Sequence, residues 1–177
     1  VDFVVFEAAE VSFNKLLNSI KTGKFNEMIP GVAYKMAGKH IKNEPLPGDL
    51  NHDAYPDFSD YDLDRYFTHN VVIPILSSKG CYWRRCSFCE EGSVNQYSEA
   101  LVNRVVDEIE HHSLNGHTYF QFVDEMISPK RLRMISTEII NRNLKVFFYA
   151  TLRPGADFNI ETLKLMYSAG FRYIDKF

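Results

Sequence analysis

The sequence lacks the features of several large classes of protein. No apolar run approaches the roughly 18 residues that a membrane-spanning helix needs. Basic residues are not in excess, because 20 lysines and arginines stand against 23 aspartates and glutamates, and the net charge of −3 gives no support for a nucleic-acid-binding surface. Internal repeats, low-complexity tracts and a signal-peptide pattern are also missing. We therefore expect a globular, cytoplasmic protein with no membrane or nucleic-acid partner.

Cysteine is scarce, and all of it lies in one stretch. Cys81, Cys86 and Cys89 fall within nine residues, with four residues and then two between them. An odd number of thiols cannot all pair as disulfides, and a reducing cytosol would leave them free to bind metal. A short glycine-flanked loop can turn the three sulfurs toward one point. This spacing is typical of a metal-ligand arrangement.

The number of thiols bears on the kind of metal centre. A structural zinc site normally has four protein ligands, whereas three thiolates on a cubane iron–sulfur cluster leave one iron open to a substrate. Two alternatives remain. The cysteines are incidental, or a histidine completes a zinc-binding Cys3His interaction or structural module; the nearby candidates are His69, His111, His112 and His117.

Strand and helix patterns alternate from residue 71 onward. The predicted strands are Val71–Leu76, Thr118–Val123, Val146–Thr151 and a strand beginning at Phe171. The predicted helix starts are Ser98 with Glu99 in the first turn, Ser128-Pro129 and Asn159. This order predicts a parallel sheet and part of a (β/α) barrel, in which functional residues gather at the carboxyl ends of the strands.

The preceding residues have a different character. Val1 to Phe6 predicts a buried strand, Val11 to Thr22 a helix, and the segments around Ala37-Gly38 a short hairpin, so residues 1–41 resemble the tail of an α/β domain. Residues 42–70 contain Pro45, Pro47 and Pro56 and predict a linker. The remaining residues, 71–177, form the predicted sheet-and-helix domain.

The cysteine stretch resembles a known family. Gly80-Cys81, Cys86 and Ser87-Phe88-Cys89 are similar to the cluster loop of the radical S-adenosylmethionine (radical SAM) enzymes, with Phe88 in the place of the aromatic residue before the last cysteine. The usual first gap holds three residues, and here it holds four. The order of elements is similar to that in the subgroup with an N-terminal cobalamin-binding domain. The family barrel has six units, so the resemblance implies that this chain is a fragment.

The resemblance also implies a chemistry. Cys81, Cys86 and Cys89 would hold a [4Fe–4S] cluster whose fourth iron binds S-adenosylmethionine (SAM). One electron from the cluster would cleave SAM to a 5′-deoxyadenosyl radical that attacks a substrate the sequence does not identify, so the full-length protein would be an oxidoreductase or transferase. The electron would come from a donor such as a flavodoxin or ferredoxin. Cobalamin would bind only through a domain absent from this chain.

Four further residues are candidate cofactor contacts by the same resemblance. Phe88 occupies the aromatic place in the motif. Asp124, or Glu125 in its stead, would accept hydrogen bonds from the amino group of SAM at the end of the second strand, and Arg153 would meet a carboxylate. Each polar candidate has a structural alternative: Asp124 caps a turn, and Arg153 pairs with Asp157. No catalytic residue is assigned.

Overall fold

The computed structural model describes residues 2–6, 9–25, 28–45, 48–90, 97–153, 155 and 158–176. The chain divides into two compact units, Val1–Asp49 and Leu50–Phe177. The segment predicted as a linker, residues 42–70, is therefore shared between the two units. No helix in the described ranges is both long enough and apolar enough to cross a bilayer.

The described residues of the first unit form a small antiparallel sheet and a helix. Its elements are β1 (Phe3–Val5), α1 (Ala9–Lys21), β2 (Val32–Met36) and β3 (Lys39–Lys42), with strand order β1-β2-β3. The predicted hairpin is confirmed, and Ala37 and Gly38 turn the chain with φ of 47° and 79°. The predicted buried strand is wrong in one respect. Among the described residues β1 pairs only with β2, so it is an edge strand there, and Val4 is 52% exposed.

The second unit alternates strands with helices. A 3-10 helix at Leu63–Arg65 comes first, followed in chain order by β4 (Val72–Ile75), β5 (Ser78–Lys79), β6 (Ser98–Glu99), α2 (Val102–Leu114), β7 (Tyr119–Phe122), α3 (Pro129–Asn141), β8 (Phe147–Leu152), α4 (Ile160–Ala169) and β9 (Phe171–Lys176). Four of the strands form a parallel sheet in the order β4-β7-β8-β9. The predicted mixed α/β class with a parallel sheet is confirmed, whereas four strands do not show a closed barrel.

The apolar residues explain which side of this sheet is covered. Successive residues of a strand point to opposite faces, and alternate residues of the central strands are buried with one face of each helix. The buried cluster includes Ile73, Ile75, Phe120, Phe122, Phe148, Ala150 and Leu152 from the strands and Val105, Ile109, Leu132, Ile135, Ile139 and Met166 from the helices. Residues that alternate with them, such as Val72 and Phe147, are partly exposed.

Short-range signals set the ends of two helices. The Ser128 hydroxyl accepts a hydrogen bond from the backbone N–H of Arg131 at 3.2 Å, with Pro129 at the first helical position of α3. The Asn159 side chain likewise accepts from the N–H of Thr162 at 2.9 Å and caps α4. Both predicted helix starts are confirmed.

The predicted helix start at Ser98 is wrong. Ser98 and Glu99 form β6, which pairs with β5 in the register Ser78↔Glu99 and Lys79↔Ser98, and α2 begins only at Val102. The ladder hydrogen bonds and an ion pair between Glu99 and Arg131 hold this dipeptide extended. Tertiary contacts here outweigh the local preference of serine for a helix cap.

Candidate cofactor-binding site

The three cysteines lie on a loop at the carboxyl end of β4. The antiparallel pairing of β5 with β6 closes the base of this loop, and the backbone N–H of Ala100 donates to the carbonyl of Ser77 at 3.0 Å. We call residues 80–97, between these two short strands, the cysteine loop. Its position at the carboxyl edge of the parallel sheet matches the prediction and is where α/β folds place their sites.

The cysteines are free thiols with different environments. Cys81 is half-buried, and its backbone forms an isolated parallel bridge with Met126. Cys86 and Cys89 are exposed and lie at a turn in which the Cys89 N–H donates to the Cys86 carbonyl at 3.4 Å. One thiol is therefore next to the sheet edge, and two are accessible to a ligand from solvent.

The donor set fits an iron–sulfur cluster in number and type, because three free thiols on one loop leave a fourth iron for a second ligand. Within the described ranges, no three histidine, cysteine or acidic side chains come together as a ready-made metal site. Cys81, Cys86 and Cys89 are therefore the side chains that could hold a cluster.

The histidines considered for a zinc site lie at the other end of the sheet. His69 precedes β4 and His117 precedes β7, so both are near the amino ends of parallel strands. His111 and His112 are in the last turn of α2, which returns the chain to the amino end of β7. Among the described residues, therefore, no histidine completes a Cys3His site with the cysteines.

Asp124 lies at the carboxyl end of β7, as predicted, but it faces the base of the cysteine loop. One of its carboxylate oxygens accepts hydrogen bonds from the hydroxyls of Ser77 at 2.7 Å and Ser78 at 2.5 Å. The other accepts from the Ser77 N–H at 3.1 Å. Asp124 is only 7% exposed, and both serines are fully buried. The carboxylate therefore ties β4 to β7.

Arg131, in the first turn of α3, completes this arrangement. Its Nε donates to the Ser77 hydroxyl at 2.9 Å, and one terminal nitrogen donates to the carbonyls of Ser77 at 2.5 Å and Ala100 at 2.7 Å. The other terminal nitrogen lies 3.2 Å from a carboxylate oxygen of Glu99. The second Glu99 oxygen accepts from the Tyr97 hydroxyl at 2.5 Å. We call Ser77, Ser78, Asp124 and Arg131 the loop-base network.

Burial controls the ionisation of the network. Desolvation raises the pKa of Asp124 above its usual value, while the hydrogen bonds from Ser77 and Ser78 and the charge of Arg131 oppose that rise. Burial also raises the pKa of the Tyr97 phenol, and the neighbouring Glu99 carboxylate adds to this effect. Because a buried carboxylate is costly without partners, the three hydrogen bonds to Asp124 explain how it is accommodated.

The remaining predicted contacts lie outside this network. Arg153 follows β8, and its guanidinium stacks on the ring of Trp83 at 3.5 Å from the ring centroid, with the Arg85 guanidinium 5.1 Å from that centroid. Phe88 is 90% exposed, and Glu125 is exposed beside the buried Asp124. The alternative pairing of Arg153 with Asp157 lies outside the described residues.

Sequence reasoning missed Ser77, Ser78 and Arg131. The one local signal was the pair of serines directly after an apolar strand, because polar residues at a strand's carboxyl end are candidates for a site. Arg131 gave no such signal, since an arginine in the first turn of a helix is usually solvated.

The chain is similar to known proteins in sequence and in fold. No protein-family model matches the chain. An uncharacterized methyltransferase of Pyrococcus horikoshii, PH0819, is 28% identical over 179 residues, which cover 96% of this chain and 38% of that protein. The chain therefore spans well under half the length of this relative.

Solved structures share the fold. The radical SAM methyltransferase TsrM of Kitasatospora setae, solved with cobalamin and a [4Fe–4S] cluster, superposes with a TM-score of 0.78 at 20% identity, over 99% of this chain and 37% of that one. OxsB, a cobalamin-dependent SAM radical enzyme, gives a TM-score of 0.71 at 17% identity, over 98% of this chain and 27% of that one. The expected resemblance to this subgroup is thus confirmed as a likeness of fold.

Proposed function

We propose that the whole protein is a radical SAM methyltransferase and that this chain carries its cysteine loop and the first part of its (β/α) barrel. The observation that carries the proposal is the set of three free thiols on one loop at the carboxyl end of β4. Two of the similar proteins, PH0819 and TsrM, are described as methyltransferases, which favours methyl transfer over other radical reactions. Residues 1–41 would then be the remnant of a preceding cobalamin-binding-like domain.

The roles of individual residues follow from their environments. Cys81, Cys86 and Cys89 would hold the cluster, which when bound would offer an open iron to SAM and supply the electron for its cleavage. Because both oxygens of Asp124 accept hydrogen bonds from Ser77 and Ser78, the exposed Glu125 is the better candidate to accept a hydrogen bond from the amino group of SAM.

Two further candidates are Arg153, which contacts the cysteine loop from the end of β8, and Phe88 within the loop. Arg153 stacks on Trp83, so in this arrangement it holds the loop against the end of β8, and its half-buried side chain would also meet a carboxylate of the cofactor or the substrate. Phe88 lies between Cys86 and Cys89 in the sequence, and its exposed ring would cover bound cofactor from solvent. These assignments give the loop both metal ligands and groups that exclude water.

The test is anaerobic reconstitution of the full-length protein with iron and sulfide, followed by electron paramagnetic resonance with and without SAM. We expect about four irons per chain and a cubane signal that shifts when SAM is added. Replacing any one of the three cysteines with serine should abolish both, whereas Ser87→Ala in the same loop should retain them. A cysteine variant with a full iron load, or a colourless zinc protein indifferent to SAM, would refute the proposal.

A further inference from the structure

We infer that Arg131 and Asp124 are positioning residues that fix the base of the cysteine loop, and with it Cys81, against the carboxyl end of β7. Their hydrogen bonds hold the loop whether or not a cofactor is bound. The effect of this network on a bound cluster rests on the proposed function, in which the three cysteines are the cluster ligands.

Both charged side chains of the network are buried. Arg131 is 3% exposed and Asp124 is 7% exposed, although charged side chains are rarely buried unless they are paired and hydrogen-bonded. Arg131 donates to four acceptors, and Asp124 accepts three hydrogen bonds. A network this complete defines one arrangement of its members, because any displacement would leave a buried polar group without a partner.

The network joins elements that are far apart in the sequence. Ser77 follows β4 and precedes Ser78, the first residue of β5; Asp124 follows β7, and Arg131 lies in the first turn of α3. Ser77 is the common member, since its hydroxyl accepts from Arg131 and donates to Asp124. The network therefore fastens three elements to one another at the point where the cysteine loop leaves the sheet.

Cys81 lies close to the loop-base network along the chain. It follows Ser78 by three residues, so the span between them is at most about 10 Å of chain. Its backbone bridges to Met126, which follows Asp124 by two residues. The Asp124 carboxylate therefore anchors both chain segments of this bridge, residues 78–81 through Ser78 and residues 124–126 directly. A shift of Asp124 or Arg131 would move Cys81 relative to the sheet.

Arg142 provides a matched control. It lies at the other end of α3 and pairs with Asp107, Glu110 and Glu138 at 2.5 to 2.9 Å. Its partners belong to α2 and α3, and none of them is in the cysteine loop or its base. Replacing Arg142 removes ion pairs on the same helix while leaving the loop-base network intact.

The first experiment measures hydrogen exchange in the chain without any cofactor. Arg131→Gln should speed exchange about tenfold or more in residues 77–81 and 98–100, and Arg142→Gln should leave those residues unchanged. Ser77→Ala, which removes only the shared hydroxyl, should give a smaller effect in the same residues and serves if Arg131→Gln does not fold. Equal exchange in the Arg131 and Arg142 variants, or an Arg131 effect spread evenly over the unit, would overturn the inference.

The second experiment uses the reconstituted full-length protein. Arg131→Gln should reduce or abolish the change that SAM causes in the paramagnetic resonance signal, Arg131→Lys should restore part of it, and Arg142→Gln should match the unmodified protein. An unaltered signal in Arg131→Gln would contradict the inference. If the unmodified full-length protein binds no cluster, the proposed function is refuted. The hydrogen-exchange experiment would still test whether Arg131 and Asp124 hold the loop.

Discussion

At the scale of single residues, His112 couples folding to pH. It is 4% exposed, its Nε2 is buried with no hydrogen-bond partner among the described residues, and the ring of Phe58 lies 5.6 Å away. Burial lowers the pKa of His112 below its usual value, the charges of His111 and His117 add to this effect, and Asp57 opposes it. The folded protein therefore resists a proton that the unfolded chain accepts.

The expected consequence is a loss of stability in mild acid. The contribution of His112 is fully present above pH 6.5, the ordinary value, and it falls as the pH drops from there toward the lowered folded pKa. The slope is at most about 1.4 kcal/mol per pH unit for one proton. Urea unfolding monitored by Trp83 fluorescence between pH 5 and 8 gives the free energy of unfolding at each pH. This free energy should change less steeply with pH in His112→Gln than in the unmodified protein. Unchanged slopes, or an equal change in the exposed-site control His69→Gln, would contradict this role.

Gly170 makes a second residue-scale prediction. It ends α4 with φ of 110°, and a Cβ there would lie 2.0 Å from the carbonyl oxygen of Val146. Gly170→Ala should therefore cost about 3 kcal/mol or more, because backbone strain and a backbone clash combine. Gly116 has a similar φ of 92°, but a Cβ there would have no atom within 4 Å. Gly116→Ala should therefore lower the free energy of unfolding by only about 1 kcal/mol. Equal costs in chemical denaturation would show that the clash is relieved.

At the scale of elements, the cap of α3 has two effects. The Ser128 hydroxyl accepts from the N–H of Arg131, so it fixes the turn that carries the buried guanidinium. Ser128→Ala should cost about 1 kcal/mol and also speed exchange in residues 77–81. Asn159→Ala, which removes the equivalent cap of α4, should cost a similar free energy without affecting those residues. If Ser128→Ala destabilises the protein but leaves exchange in residues 77–81 unchanged, the cap does not help to hold the cysteine loop.

The elements also show how far the sequence predicts the structure. Ser128-Pro129, Asn159 and the apolar runs of the parallel strands act over a few residues, so local patterns were sufficient to find them. The pairing of β5 with β6 and the loop-base network depend on contacts between residues far apart in the sequence, as between Ser77 and Arg131. For that reason the location of Asp124 at a strand end was predictable, while its serine partners were not.

At the scale of the whole molecule, the cysteines lie outside the hydrophobic core. The buried cluster of the second unit contains none of them, and Cys86 and Cys89 are exposed. Replacing all three with serine should change the free energy of unfolding of the cofactor-free chain by less than about 0.5 kcal/mol. Thermal and urea denaturation of the two forms provides the measurement. A large destabilisation would mean that the thiols serve the fold itself.

The closed base of the cysteine loop has a consequence for how the protein can diverge. The four residues of the loop-base network, and the Glu99 and Ala100 groups they meet, all lie outside residues 80–97. Substitutions and length changes within the loop can therefore accumulate without disturbing the sheet. A lineage could in this way vary the loop while inheriting an unaltered scaffold.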